Sequence, residues 1–205
     1  HLETDPLKAL EQILSGGQTG RIRIGELSTP AFSRRFLVSS GLGFDAAVCE
    51  GALHSKFKKF LNQFHLGKLT YTGIALKEIF LSRCPKAKLI LDNDTVIETP
   101  TLLFASAMNL PYEGGGFQFC PEADSKDDHL DLILVEKMPK LKVFLLLPTA
   151  FFGKHTRFRG IHIHTFREAR LVTEQPLFLH TDGEIPGKTS EVVWRLLPEA
   201  LTMIL

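Results

Sequence analysis

Residues 160–181 read GIHIHTFREARLVTEQPLFLHT, and apolar side chains recur there at alternate positions. Ile161 and Ile163 alternate with histidines, and Leu177 and Leu179 repeat the period further along. A period of two is typical of half-buried β-strands, whereas amphipathic helices repeat every three to four residues. We therefore predict strands over 160–167, 169–175 and 177–181.

The pattern continues on both sides of this stretch. Further strands are predicted over 21–24, part of 36–48, 86–98, 101–108, 129–136 and 191–196. Helices are predicted over 5–15, where Thr4 or Asp5 is a good N-cap and Pro6 suits the first helical position, over roughly 50–80 and over 139–152. Strands and helices do not alternate regularly. We therefore expect an α+β, β-rich fold whose main body is a two-sheet, mostly antiparallel β-sandwich.

Composition excludes several classes of protein. Lysine and arginine number 24 against 23 acidic residues, so the net charge of +1 gives no basic field for nucleic acid. The odd set Cys49, Cys84 and Cys120 has no C-x-x-C spacing, which argues against a disulfide framework or zinc site and favours the cytoplasm. No apolar run approaches the ~18 residues of a membrane span. Sixteen phenylalanines are typical of an apolar core or groove.

Two glycine-containing motifs are candidates for close backbone approach. Gly41-Leu42-Gly43-Phe44-Asp45 follows a strand, but Ala46 stands where a dinucleotide fingerprint needs its third glycine. A tight turn with Asp45 capping the next helix explains it equally well. The second motif runs from Asn109 to Gly116 and ends in three glycines, which indicates either backbone with positive φ or a mobile loop.

Two acidic motifs are candidates for chemistry. Asp124, Asp127, Asp128 and Asp131 are clustered, and carboxylate oxygens in one loop suit a hard cation such as Mg²⁺, although a solvated turn is the alternative. His180-Thr181-Asp182-Gly183-Glu184 is a compact acid/base group or, alternatively, a hairpin turn. In an extended chain, Asp182 and Glu184 would face the same side.

Two other features allow a functional and a structural interpretation. His162 and His164 share one strand face, as a metal pair could, or as the polar side of a strand. The apolar stripe from Leu141 to Phe152 could insert into a membrane or pack in the core.

The four motifs, in this order, resemble the second half of the bacterial diacylglycerol kinase-like lipid kinases, whose superfamily includes sphingosine and ceramide kinases. The residues that carry the resemblance are Gly41-Leu42-Gly43-Phe44-Asp45-Ala46, Asn109-x-Pro111-x-x-Gly114-Gly115-Gly116, Pro121-x-Ala123, Asp127-Asp128-His129-Leu130-Asp131, His180-Thr181-Asp182-Gly183-Glu184 and Leu197-Pro198-Glu199-Ala200-Leu201. The match extends over nearly the whole chain.

The resemblance implies an ATP-dependent kinase of two domains, which phosphorylates the hydroxyl of diacylglycerol or a related lipid. ATP binds mainly to the first domain, through a Gly-Gly-Asp-Gly-Thr motif that Gly16-Gly17-Gln18-Thr19 does not match. Because His1 is not a methionine, we expect a cut chain. Residues 1–17 would be the helix leading out of a missing nucleotide-binding domain, and residues 18–205 the sandwich. Alone, the chain should be inactive.

The resemblance also implies roles for individual residues. Glu184 would be the general base, with Asp182 in the same catalytic motif. A structural Mg²⁺ would be held by Asp124, Asp127 and His129, the last through its carbonyl. Asp128 stands where the family that the chain resembles has glycine. We expect a lipid partner, peripheral membrane contact and no nucleic acid, with a homodimer left open.

Two alternatives remain at this stage. A non-catalytic lipid-binding or regulatory module could use the same sandwich. A soluble phosphotransferase of the NAD kinase type could also share the plan, with basic residues near Glu184; Arg157, Arg159, Arg167 and Arg170 are the nearby candidates in sequence.

Overall fold

The computed structural model describes residues 5–16, 19–54, 77–78 and 81–204. The elements within these ranges are α1 (Pro6–Leu14), β1 (Thr19–Ser28), β2 (Ser33–Phe36), β3 (Ser39–Gly43), α2 (Phe44–His54), β4 (Ala87–Leu91), β5 (Thr95–Thr99), β6 (Leu102–Met108), β7 (Leu130–Glu136), α3 (Lys140–Ala150), β8 (Ile161–Phe166), β9 (Glu168–Thr181) and β10 (Glu184–Ile204). No helix in these ranges combines the length and apolar character needed to cross a bilayer.

All strand pairings are antiparallel, and they join the ten strands into one sheet. The order is β2-β1-β10-β9-β3-β6-β7-β8, with the β4–β5 hairpin attached to β9. The β-rich antiparallel fold class is therefore confirmed. The layers of the predicted sandwich are continuous through hydrogen bonds and do not form two separate sheets.

The sheet curls over its own inner face. The amide of Asn109, directly after β6, donates to the carbonyl of Arg23 in β1 at 2.9 Å. These strands are four positions apart in the order, so a flat sheet would separate them by roughly 19 Å. The inner face holds the larger core, in which Trp194, Phe36 and Phe166 are almost fully buried.

A second core lies on the outer face of β6 and β7. Ile133 and Val135 point away from the first core and pack with Phe104. The apolar residues Val143 and Leu147 of α3 cover them. The two cores therefore place α3 against the sheet and leave its far side to solvent.

The first and the last of the three predicted helices are confirmed. Asp5 caps α1, with its carboxylate accepting from the N–H groups of Leu7 and Lys8, and Pro6 begins the helix. The helix predicted over 139–152 is α3. Most of the helix predicted over 50–80 lies outside the described residues, and α2 covers only its beginning.

The strand predicted within part of 36–48 is β3, and it ends at Gly43, where a φ of 118° turns the chain into α2. Two other strand predictions were wrong in detail. The single strand predicted over 86–98 is a hairpin, since Asp92 and Asn93 take left-handed φ values of 51° and 66°. Such a pair is typical of a two-residue hairpin turn. The predicted strands 169–175 and 177–181 form one continuous strand, β9.

Candidate functional site

Three of the four motifs meet where β3 lies beside the end of β9. Gly41 is opposite His180 in the register, and Ser40 is opposite Thr181. The backbone N–H of Asn109 donates to the carbonyl of Val38 at 2.9 Å, which brings the glycine-rich loop to the same place. The curled sheet therefore gathers segments that are about 70 residues apart or more in the sequence.

A buried ionic cluster occupies this junction. His180 Nε2 lies 3.1 Å from Asp45 Oδ2 and 3.2 Å from Glu113 Oε1. The side chains of His180, Asp45 and Glu113 are only 1%, 4% and 12% exposed. Among the described residues, these three are the one set of side chains whose spacing could also hold a metal ion.

The cluster is held by an imidazolium between two carboxylates. Burial alone would lower the pKa of His180, but the carboxylates of Glu113 and Asp45 outweigh it and raise that pKa to about 10. Burial raises the pKa of Asp45, although His180 partly opposes the rise. Burial acts in the same direction on Glu113, but His180 and the hydroxyl of Ser39 dominate and lower its pKa. His180 is therefore charged at neutral pH.

Gly41 makes room for this cluster. A Cβ atom at position 41 would lie 1.9 Å from Asp45 Oδ2 and 2.5 Å from His180 Nε2. Any larger side chain would separate the ion pair. Glycine inside a strand often marks such a close approach, and this was the one signal in the sequence that pointed to the cluster. For Asp45 the sequence offered a helix cap as the structural interpretation, and Glu113 was not among the predicted site residues.

Hydrogen bonds connect the cluster to the Asp-Gly-Glu turn. Ser39 Oγ donates to Glu113 Oε1 at 2.6 Å, and the backbone N–H of Ser39 donates to Asp182 Oδ1 at 3.0 Å. In return, the N–H of Asp182 donates to the carbonyl of Ser39 at 2.9 Å. Ser39 is thus shared between the buried cluster and the turn.

Asp182 organises the turn between β9 and β10. Its φ is 47°, in the left-handed region, and that of Gly183 is 85°. The Asp182 carboxylate accepts hydrogen bonds of 2.8, 2.9 and 3.0 Å from the N–H groups of Leu37, Val38 and Ser39. Because these bonds occupy both carboxylate oxygens, Asp182 fixes the backbone of residues 37–39 against the turn between β9 and β10.

Glu184 has a different environment from Asp182, although the motif places them two residues apart. The turn is not extended, so the expectation of two carboxylates on one face does not hold. The Glu184 side chain is 77% exposed, and its Oε2 lies 2.8 Å from Arg34 Nη1. Of the two carboxylates, Glu184 is the one open to solvent.

The acidic loop before β7 is a separate site. Asp124 Oδ1 accepts from the N–H of Lys126 at 3.0 Å, and Asp127 Oδ1 accepts from the N–H of His129 at 3.1 Å. The His129 imidazole faces Asp127, with Nε2 3.1 Å from Oδ2. Burial raises the pKa of Asp131 to about 6; Asp127 adds to this rise, and His129 opposes it.

This loop has the donors that a hard cation prefers. The carboxylates of Asp124 and Asp127 supply oxygen, and the His129 carbonyl can add a third ligand. Asp128 does not have a positive φ, so it carries no left-handed strain where the family has glycine. Its side chain instead pairs with Arg167, which lowers the pKa of Asp128. The donor atoms of this loop are therefore of the chemical kind that a hydrated Mg²⁺ takes.

The arginines considered as nucleotide contacts are not gathered around Glu184. Arg167 pairs with Asp128, and Arg170 pairs with Glu191 at 2.7 Å. Arg157 and Arg159 follow α3 in the chain and are exposed. The arginine beside Glu184 is Arg34, which was not among the predicted site residues.

An apolar cavity of about 60 Å³ lies between α3 and the outer face of the sheet. Its walls include Phe104, Phe119, Ile133, Leu146, Leu147 and His155. His155 Nε2 lies 3.1 Å from the carbonyl oxygen of Phe119, and burial lowers the pKa of His155. The phenylalanine-rich interior thus contains a small cavity as well as a packed core.

Residues 38–205 match the family model described as the YegS C-terminal NAD kinase beta sandwich-like domain. The chain is 30% identical over 156 residues to the "Putative lipid kinase YtlR" of Bacillus subtilis, covering 75% of this chain and 50% of that protein. It is 27% identical over 197 residues to a diacylglycerol kinase of Mycobacterium tuberculosis H37Rv, covering 93% and 60%.

A solved structure has a similar fold. It is described as "a putative diacylglycerol kinase from Bacillus anthracis str. Sterne" and superposes with a TM-score of 0.69 at 20% identity. The superposition covers 99% of this chain and 62% of that one. The chain thus spans half to three-fifths of the length of these proteins.

Proposed function

The chain belongs to the family of the YegS C-terminal NAD kinase beta sandwich-like domain, whose curated relatives here are named lipid and diacylglycerol kinases, and from that premise we propose that it is the C-terminal domain of an ATP-dependent lipid kinase. The acceptor is the hydroxyl of diacylglycerol or a related lipid. Residues 1–17 lead from the domain that binds most of the ATP. The protein works in the cytoplasm, in peripheral contact with a membrane.

The observation that carries the proposal is the difference between the two carboxylates of the turn. Asp182 is held by three backbone N–H groups, whereas Glu184 projects into solvent from the turn that Asp182 fixes. A general base must be accessible and held in place, and Glu184 satisfies both conditions. In this role, Glu184 accepts the proton of the lipid hydroxyl as the hydroxyl oxygen bonds to the terminal phosphorus of ATP. The bond from that phosphorus to the bridging oxygen breaks, and ADP leaves with the electron pair.

Arg34, which lies beside Glu184, has two roles in the proposed reaction. Its guanidinium lies 2.8 Å from Glu184 and is itself 43% exposed on the side chain. A guanidinium beside the carboxylate orients it through this ion pair and is also a donor of the kind that phosphate oxygens accept. Arg34 therefore orients Glu184 before the substrate arrives and is available to balance phosphate charge afterwards.

The apolar cavity supports a lipid acceptor. A space lined by phenylalanine, leucine and isoleucine favours an acyl chain over a sugar or a nucleotide. Its volume of about 60 Å³ admits only a short part of a chain. A longer chain requires that α3 or the Phe117–Phe119 segment move outward.

Magnesium would be held by Asp124, Asp127 and the carbonyl of His129, and it would add positive charge that stabilises this loop beside β7. The carboxylate of Asp127 also anchors its own loop through the N–H of His129, at 3.1 Å. Arg23 Nε donates to the carbonyl of Asp127 at 3.3 Å, which connects the loop to β1. The residues thus hold the loop in one conformation around the donor oxygens.

The test is the kinase activity of the full-length protein on dispersed diacylglycerol. Replacing Glu184 by glutamine should lower kcat about 10²–10⁴-fold with little change in melting temperature. Glu98→Gln is the matched control, since Glu98 is 75% exposed on β5 and should retain wild-type kcat. A Glu184→Gln enzyme with more than about half of the wild-type kcat would remove Glu184 from the base role.

The same kinase assay tests the identity of the acceptor and the requirement for the nucleotide-binding domain. Phosphorylation of NAD in preference to diacylglycerol would favour the NAD kinase alternative. Lipid binding without any phosphorylation would favour a regulatory module. The 205-residue chain alone should show no activity, because its sequence lacks the Gly-Gly-Asp-Gly-Thr motif.

A further inference from the structure

Helix α3 is apolar on both of its sides. The side that covers the sheet consists of Val143, Leu146, Leu147 and Ala150, which line the cavity. The opposite side, spaced at i, i+3, i+4 and i+7, consists of Leu141, Phe144, Leu145 and Pro148, all exposed. A surface helix in water normally has a polar outer face, so this helix requires an apolar environment outside as well as inside.

The exposed apolar area continues beyond the helix. Leu141, Leu145 and Phe152 are 69%, 62% and 72% exposed. Of the fifteen large apolar side chains that are exposed among the described residues, six lie between 141 and 158. Lys142 Nζ donates to the carbonyl of Arg159 at 2.9 Å, which holds the end of this segment against α3. The six exposed side chains thus lie on α3 and on the segment held against it, and a concentration of exposed apolar side chains of this kind marks an interaction site. We call α3 with residues 151–159 the α3 surface.

Basic residues occur along the whole α3 surface. No aspartate or glutamate occurs between residues 137 and 167, and six lysines and arginines occur between 137 and 159, in a chain whose net charge is +1. Lys154, Arg157 and Arg159 are exposed, and none of them has a carboxylate within 4.0 Å in the described part of the chain. Free cations around an apolar face complement a layer of acyl chains covered by anionic headgroups.

We propose that the α3 surface docks on an anionic phospholipid bilayer. Leu141, Phe144, Leu145 and Phe152 enter the boundary between headgroups and acyl chains, and Lys154, Arg157 and Arg159 contact lipid phosphates. The inference rests on the proposed lipid kinase function, since the acyl cavity lies directly behind the same helix. A lipid that leaves the bilayer at this surface then has only α3 between itself and the cavity.

Charge also decides between the bilayer and two other occupants. A second copy of the chain, docked through the same surface, would oppose six basic residues to six basic residues. Nucleic acid would leave the exposed leucines and phenylalanines without an apolar partner. An anionic bilayer satisfies both the charge and the apolar area.

The experiment measures binding of the full-length protein to vesicles in the absence of ATP. One set of vesicles is phosphatidylcholine alone, and the other contains about 30 mol% phosphatidylglycerol. The charge variant is Arg157→Gln with Arg159→Gln, and the apolar variant is Leu145→Gln with Phe152→Gln. The matched controls are Lys88→Gln and Val96→Gln on the β4–β5 hairpin, where Lys88 is 51% and Val96 is 52% exposed.

We expect wild-type protein to bind the anionic vesicles more tightly than phosphatidylcholine. The charge variant should lose about fivefold in binding per arginine, or about 25-fold in all, on the anionic vesicles only. The apolar variant should lose about tenfold or more per side chain on both kinds of vesicle. The two controls should bind like wild type.

Wild-type binding by both double variants would overturn the proposal. So would a wild-type dimer that both variants convert to monomer while vesicle binding is unchanged, because a second copy would then cover the surface. Kinase activity on a soluble short-chain diacylglycerol is measured in parallel. If the wild-type protein is active and both double variants bind vesicles like wild type, the α3 surface is refuted and the proposed function stands. If both double variants lose vesicle binding as expected but the wild-type protein phosphorylates no diacylglycerol, the proposed function is refuted and the α3 surface stands.

Discussion

Replacing His180 by glutamine should destabilise the fold by about 3–5 kcal/mol. Glutamine keeps a hydrogen-bond donor of similar reach, but it removes the positive charge between Asp45 and Glu113. These carboxylates are 4% and 12% exposed, so water cannot replace the lost cation. Removing one partner of a buried ion pair leaves an uncompensated charge, which is the origin of the large effect.

The pH dependence has a definite sign. The pKa of His180 is raised to about 10 in the folded protein, against an ordinary value of 6.5. The stabilisation from His180 is therefore complete below about pH 6.5 and is lost as the pH rises through 10. Wild-type protein should lose stability between pH 7 and 10, and the His180→Gln variant should lack this part of the slope.

The assay is urea unfolding of the 205-residue chain, followed by the fluorescence of Trp194. Trp194 is the only tryptophan of the chain, is fully buried, and donates to Ser40 Oγ, which in turn donates to the His180 carbonyl. His162→Gln is the control, because His162 has a half-exposed side chain near Glu136. A loss below about 1 kcal/mol, or an unchanged alkaline slope, would refute the ion-pair argument. Adding Asp45→Asn and Glu113→Gln to His180→Gln should recover part of the loss.

Three further changes give independent predictions. Gly41→Ala should cost at least about 2 kcal/mol in the same urea assay, because its Cβ would meet Asp45 and His180; a cost within error would show that the cluster can shift. Asp182→Asn should cost about 1.5–3 kcal/mol through weakened bonds to three N–H groups and should lower kcat less than Glu184→Gln, by unfolding and kinase assays. Wild-type protein should gain about 2–3 kcal/mol of stability in Mg²⁺ at a hundredfold excess over the Kd, and Asp127→Ala should remove this gain. If Asp127→Ala lowers the melting temperature equally in Mg²⁺ and in chelator, the metal site is contradicted.

The fold class followed from local pattern because strands such as β8 and most of β9 are buried on one face only. Alternation over 160–181 reports which side of a strand faces the core, and no partner strand has to be known. The β4–β5 hairpin was missed for a local reason as well: Asp92 and Asn93 form the turn inside an otherwise continuous strand pattern. The closure of the sheet depends on contacts such as Asn109 with Arg23, which no local pattern contains.

The site was predicted only in part for the same reason. The Asp-Gly-Glu turn is contiguous, so its residues could be identified together, but the separate environments of Asp182 and Glu184 depend on residues 34–39. The cluster of Asp45, Glu113 and His180 comes from three segments at least 67 residues apart. Glu113 lies in a glycine-rich loop whose composition indicates mobility, and its burial appears only when β3 and β9 pair.

The pairing of β3 with β9 also constrains how the protein is made. Ser40 pairs with Thr181, so about 140 residues separate the partners on either side of the site. At a synthesis rate of roughly 5–20 residues per second, β3 waits on the order of ten seconds at the ribosome before its partner emerges. During that interval its open backbone edge is available to wrong partners. Slow, late closure of this kind makes the nascent chain a candidate for chaperone assistance.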